Sequence, residues 1–156
     1  MAPTSTAIMN YLYNPAVREA TLQDVEALEA LDAELFPHNC LGAKLMKNEL
    51  MHGRCWVIEE QGEVVAYALM RHEAGLVDLM RLGVREAYRR RRYATALLDQ
   101  VTRVGKNTML TVLKDNTAAF RLYRRWGFQI VGDTGGGGWV MLRAGEKSPA
   151  LRTLHT

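Results

Sequence analysis

Arg89, Arg90, Arg91 and Arg92 form an unbroken cationic run between a β-rich segment ending at Val84 and an amphipathic segment beginning near Tyr93. The first N–H groups of a helix have no intrahelical acceptor, and the partial positive charge there stabilises an anion by about 0.3 to 2 kcal/mol. Arginines beside a helix start add charge-assisted hydrogen bonds to phosphate oxygens. Taken alone, the run reads as a basic patch for nucleic acid, a solvated charged surface, or the lip of a phosphate-binding helix. It is not a Walker loop, since no glycine-rich run ending in Gly-Lys-Ser or Gly-Lys-Thr occurs, nor a dinucleotide fingerprint, since GxGxxG is absent.

Other chemistry-bearing residues are sparse. His38, His52, His72 and His155 lie in different segments and show no nucleophile or metal spacing. Cys40 and Cys55 form neither a CxxC pair nor part of a Cys/His cluster, so they read as reduced thiols and no metal site is expected. The glycine run at residues 135–138 precedes a strand-like segment rather than a helix, so it reads as a hairpin tip rather than a phosphate loop.

The chain has 156 residues, 48% of them apolar and 24% charged, which suits one soluble domain able to bury a core. Its formal charge is +3, and without the arginine run the remainder is slightly negative. The positive charge is therefore local, and a general nucleic-acid-binding field is not evident. No basic and apolar leader opens the chain, and no segment approaches the roughly 20 apolar residues needed to cross a bilayer. A cytoplasmic protein with no membrane partner is expected.

Residues 1–15 carry no clear period and read as a loose segment, residues 16–144 as the domain, and residues 145–156 as a mobile tail. A short strand from Val17 to Ala20 precedes a helical stripe of Leu22, Val25, Leu28, Leu31 and Leu35, opened by a capping box of Thr21 and Asp24 and closed by Pro37. A second short helix places Leu45, Met46 and Leu50 on one side and stops at Gly53. "CWVIEE" and "VVAYALMRH" flank a glycine turn, and "LVDLMRLGV" supplies a further strand. Ala94, Leu97, Leu98, Val101 and Val104 then recur at helical spacing up to Gly105. "TMLTVLK" is a strand, and "DNTAAFRLYRRWG" is a helix with Asp115 or Asn116 as its N-cap. "FQIVGD" and "GWVMLRA" close the domain as a hairpin. The order β, α, α, β, β, β, α, β, α, β, β implies an α/β domain with a mixed sheet.

Read together, "LGVREAYRRRRYATALL" and "NTAAFRLYRRWGF" resemble the GNAT superfamily of N-acetyltransferases. Its first signature, a strand followed by Gln/Arg-x-x-Gly-x-Gly/Ala, falls on Arg89, Arg92 and Ala94. The second, Asn-x-x-Ala-x-x-Leu-Tyr-x-x-x-Gly-Phe, is matched by Asn116, Ala119, Leu122, Tyr123, Gly127 and Phe128, and is the more specific. The resemblance spans roughly residues 16 to 143. It implies a mostly antiparallel mixed sheet with helices on both faces and a splay between two central strands, "LVDLMRLGV" and "TMLTVLK". It also implies transfer of an acetyl group from acetyl-CoA, as cosubstrate, to an amine.

On the same resemblance, backbone N–H groups of Arg90, Arg91, Arg92, Tyr93, Ala94 and Thr95 would hold the pyrophosphate, with Arg89 beside them. Leu82, Gly83 and Val84 would pair with the pantetheine amides, and Asn116 would bond the pantetheine arm. Tyr123 would be the general acid for the leaving thiolate.

Two departures stand out. Arg92 replaces the glycine that lets the backbone approach phosphate with no Cβ in the way. It must adopt a helical or otherwise allowed conformation with its side chain swung clear. The positions where such relatives commonly carry a glutamate base read Met80 and Thr111, and neither can accept a proton. Asp78 is the candidate base, accepting through a water; it stands two residues before Met80 and on the same strand face if no bulge intervenes, and Glu73 and Asp115 are less well placed.

The acceptor is a small amine or a protein α-amine. "AELFP" at residues 33–37 is similar to a segment of the ribosomal-protein N-terminal alanine acetyltransferases, and residues 36–54 and 129–140 would line the pocket. A monomer or homodimer is expected. The alternative is a non-catalytic module that binds CoA, or binds nucleic acid through residues 89–92; nucleic acid is not the expected partner.

Overall fold

Residues 64–70 are apolar and every one of them is buried, the pattern of a strand covered on both faces. They form the middle of β3 (Glu63–Glu73) in a computed structural model that describes residues 15–145. The loose segment and mobile tail expected at the two ends lie outside the described residues, apart from residues 15 and 145. Around β3 the described chain runs β1 (Val17–Glu19), α1 (Val25–Leu35), α2 (Ala43–His52), β2 (Arg54–Glu60), then after β3, β4 (Leu76–Val84), α3 (Tyr93–Thr102), β5 (Asn107–Leu113), α4 (Thr117–Arg125), β6 (Gln129–Asp133) and β7 (Gly138–Arg143). Element types and order agree with the sequence reading. No helix among the described residues is long and apolar enough to cross a membrane.

The strands form one sheet in the order β1-β2-β3-β4-β5-β7-β6, antiparallel except for the parallel pair β4 and β5. The β2–β3 and β3–β4 turns each place two consecutive residues at positive φ, Gln61 with Gly62 and Ala74 with Gly75. Such turns match the right-handed twist of the strands they join.

Helices cover both faces. On one, Leu97, Leu98 and Val101 of α3 and Tyr123 of α4 pack with Ala66, Ala68 and Met70 of β3 and Leu110 and Val112 of β5. On the other, Leu28 and Leu31 of α1 and Met46 of α2 pack with Val57, Tyr67 and Leu69. Each fully buried leucine contributes about 1.5 to 3 kcal/mol.

The expected apolar stripes shift in detail. Leu22 and Leu45 are exposed, whereas Asp32 of α1 and Glu49 of α2 are buried. Thr21 and Asp24 do form a capping box, but it opens a short 3₁₀ turn, Leu22–Asp24, ahead of α1.

The sheet divides where β4 meets β5. The strands pair only at Leu76 with Asn107, Val77 with Thr108 and Asp78 with Met109. Beyond that, β4 stays with β3 while β5 pairs along its length with β7. A bulge lies at the parting point: Met70 pairs with Leu79 and Leu69 with Arg81, leaving Met80 as the extra residue. Because a bulge bends its strand and increases the local twist, it turns the second half of β4 away from β5.

Candidate active site

The arginine run leaves β4 through a short turn, Glu86–Tyr88, and enters α3. Arg90 and Arg92 both lie at φ 65°, and Arg92, with ψ 19°, is the N-cap of α3. Where a helical or otherwise allowed conformation was expected, Arg92 adopts the left-handed one that glycine takes freely, at about 1 to 2 kcal/mol for a residue with a Cβ. The first helical bond runs from Ala96 N–H to Arg92 C=O at 3.0 Å. The N–H groups of Tyr93, Ala94 and Thr95 therefore precede the helical ladder, and a backbone anion cradle fits here. All four arginines are exposed.

This loop is tied at both ends. Arg89 Nε donates to Val84 C=O at 3.1 Å. Tyr93 is buried, and its hydroxyl donates to the Glu60 carboxylate at the end of β2. Burial, reinforced by Glu60, pushes the Tyr93 phenol up to about 12. Its ring stacks on Tyr88 with centroids 6.0 Å apart, and the Arg91 guanidinium lies 5.2 Å from the Tyr88 centroid. Left-handed residues persist where their surroundings over-determine them, and these contacts supply that constraint.

Arg85 N–H donates to Val65 C=O at 2.8 Å, so by strand alternation Gly83 also turns its amide toward β3. Leu82 and Val84 turn theirs toward the gap between β4 and β5. Of the three residues expected to meet a pantetheine chain, these two have the orientation for it, although Val84 C=O already accepts from Arg89. Gly83 has another function. A Cβ there would stand 2.7 Å from Leu35 Cδ1 and 3.1 Å from Tyr67 Cε1, so its absence lets the end of α1 lie directly on β4.

Across the gap, Asn116 caps α4, its Oδ1 accepting from Ala119 N–H at 3.3 Å, and its side chain is exposed. Tyr123 lies two turns further on, buried with Leu110 and Val112 and set edge-on to Phe128 with centroids 5.7 Å apart. Burial pushes its phenol up to about 12, so it stays protonated well past neutral pH.

On the α1 face, Asp78 pairs across from Arg71, and burial, helped by Glu73 and opposed by Arg71, raises its carboxyl above the ordinary range. The bulge condition fails: an extra residue does intervene at Met80. Arg81 is then brought to the same face as Asp78, since Arg81 Nε stands 3.5 Å from Asp32 in α1.

Four residues in these contacts escaped the sequence reading: Asp32, Glu60, Tyr67 and Arg81. Asp32 left a signal, a carboxylate beside Leu31 within the stripe of Leu28, Leu31 and Leu35. The others had none, because their partners lie far away in the chain.

A mixed sheet whose two parallel strands splay beside a helix start with open N–H groups is the fold of the acetyltransferase class. Residues 18–128 match the Acetyltransferase (GNAT) family, and the chain belongs to it. No curated protein matches the chain.

Among solved structures, the ribosomal-protein-S18-alanine N-acetyltransferase of Escherichia coli is similar at 20% identity with a TM-score of 0.72, covering 85% of this chain and 97% of that one. Arabidopsis thaliana NAA60, solved with a bisubstrate analogue, is 21% identical with a TM-score of 0.73, over 85% and 99% of the two chains. The PaiA N-acetyltransferase of Thermoplasma acidophilum, solved with coenzyme A, is 16% identical with a TM-score of 0.71, over 83% and 98%. The binding-only alternative finds no support in these likenesses.

Proposed function

We propose that this GNAT acetyltransferase moves an acetyl group from acetyl-CoA to a protein or peptide α-amine, by direct attack of the neutral amine on the thioester. The observation that carries this reading is the junction of the loop opening α3 with the splay of β4 from β5. The loop offers N–H groups and arginines to a pyrophosphate, and the gap offers amides of Leu82 and Val84 to an extended arm. A peptide acceptor is favoured by the face opposite α3, where Thr111 is exposed and Met109 and Val140 are half-buried, leaving sheet surface along which an extended chain can lie. The bisubstrate and N-terminal acetyltransferase neighbours point the same way.

In this reading Tyr123 delivers its proton to the departing sulfur, and its buried phenol is suited to holding that proton until the C–S bond breaks. Asp78, which shares the α1 face of β4 with Arg81 although the bulge separates it from Met80, takes the amine proton through a water. Its raised carboxyl brings it closer to the operating pH, which is what a general base needs. Alignment of amine and thioester contributes roughly 7 to 11 kcal/mol, and each placed acid or base about 10² to 10⁴ in rate.

The test is thiol release from acetyl-CoA with a panel of short peptides differing in their first residue, set beside polyamines, amino acids and aminoglycosides. Turnover with peptides supports the proposal. Turnover only with small amines overturns the acceptor class, and CoA binding without turnover of any amine overturns the reaction.

A further inference from the structure

Asp32 has no exposed surface, and it gathers donors from three separate segments. Tyr67 in β3 donates its hydroxyl to one carboxylate oxygen, with Arg81 Nε 3.5 Å from that oxygen, and Leu41 N–H donates to the other at 2.6 Å. Arg81 also donates to Asn39 C=O and sets its guanidinium 4.5 Å from the Phe36 ring centroid. Residues 36–41, the connection from α1 to α2, are therefore held at Phe36, Asn39 and Leu41.

Apart from Phe36 and Leu41, which pack against the core of the α1 face, few other restraints hold this segment. Pro37, His38, Asn39 and Cys40 are exposed, and its backbone bonds are the helix-end bond from Phe36 N–H to Asp32 C=O and a turn from Asn39 N–H to Phe36 C=O at 3.2 Å. A buried carboxylate is costly without partners, so Asp32 favours the one arrangement in which Leu41 and Arg81 both reach it.

The place of this network in the sheet gives it a functional consequence. Arg81 follows the bulge and lies beyond Asp78, where β4 has parted from β5. The helix start suited to the donor, at α3, packs on the opposite face. Through Arg81, Phe36 and Asn39 stand beside that part of β4, on the face of the sheet opposite α3.

We propose that Arg81 and Asp32 are positioning residues for the acceptor: their ion pair latches residues 36–41 beside the splay, and the latch sets acceptor affinity. The kinetic half of this rests on the acetyl-transfer reading; the latch itself does not.

The experiment compares the full chain with Arg81→Gln, Arg81→Lys and Tyr67→Phe. It reads amide hydrogen exchange at Leu41, CoA affinity by calorimetry, and acceptor KM and kcat with the best peptide from the panel. Arg81→Gln is expected to speed exchange at Leu41 about tenfold while α3 amides keep their rates. The acceptor KM is expected to rise about tenfold, with kcat within about twofold and CoA affinity unchanged. Arg81→Lys, which keeps the charge, should recover part of both effects.

Tyr67→Phe removes one donor and keeps the ring, so it should give the same pattern at smaller amplitude, including where Arg81→Gln fails to fold. Unchanged exchange at Leu41 in the folded variants overturns the latch. Faster exchange with an unchanged acceptor KM overturns its role in acceptor binding. If the native chain acetylates no amine, the acetyl-transfer reading fails by itself while exchange at Leu41 still decides the latch.

Discussion

Residues 89–92, which lead into α3, and residues 36–41 are both loops beside β4, on opposite faces of the sheet, and they are held by opposite means. The first offers backbone: two residues stand at φ 65° ahead of a helix start, and side-chain contacts tie its flanks. The second is held by side chains, through the buried carboxylate of Asp32 and the arginine beside it. A loop for a constant partner such as a pyrophosphate can be a fixed backbone shape, because every N–H group is alike. One that must discriminate among acceptors is better set by side chains, where single substitutions retune the grip.

The largest effect is expected at the proposed general acid. Tyr123→Phe should lower kcat about 10²-fold or more while leaving CoA affinity and acceptor KM close to native. Stopped thiol release together with calorimetry checks this, and equal turnover in the variant removes Tyr123 as the acid.

Next comes Asp78. Its carboxyl is raised, so activity that needs the ionised form is lost as pH falls through that raised value; Asp78→Asn should lower kcat/KM about tenfold or more and abolish this acidic limb. Burial penalises its ionised form, so any destabilisation it causes sets in as pH rises from the ordinary carboxylate range through the raised value. The Asn variant should accordingly lose no thermal stability at neutral pH. A persisting acidic limb would assign the base to another group.

A smaller effect tests the independence of the two faces. Tyr93→Phe removes the bond to Glu60 and should weaken CoA binding by a few-fold, a loss on the order of 1 kcal/mol, with the acceptor KM unchanged. Combined with Tyr67→Phe, the free-energy changes should add to within about 0.3 to 0.5 kcal/mol, as they do for sites without shared partners. Strong coupling would mean that the two loops move together through β4.

The smallest effect belongs to Arg92. Arg92→Gly should relieve the left-handed strain, raising stability by up to about 1 kcal/mol in thermal unfolding. Loss of an exposed cation beside the proposed phosphate site should weaken CoA only a few-fold. Tighter CoA binding would instead make the native Arg92 a hindrance.

Much of the donor side was legible in the chain itself. The arginine run, the helix after it and the α4 motif are contiguous, so the motifs that carry the family resemblance pick out Arg89, Arg92 and Ala94, and then Asn116 and Tyr123. The conformation of Arg92 was not legible, because an arginine does not announce positive φ as a glycine does. The acceptor side was hardly legible at all. Asp32, Leu41, Tyr67 and Arg81 come from four segments, and the bulge at Met80 moves Arg81 onto the face that strict alternation would deny it.

The sequence by itself determined the order and type of the elements, the family, and the residues proposed for the donor side, since periodicity, caps and contiguous motifs are local properties of the chain. Only the tertiary structure decided where β4 leaves β5, which residue follows the bulge onto the acceptor face, and how a buried carboxylate in α1 reaches that residue. These depend on strand register and on a charge removed from water, and both arise only when distant segments pack together.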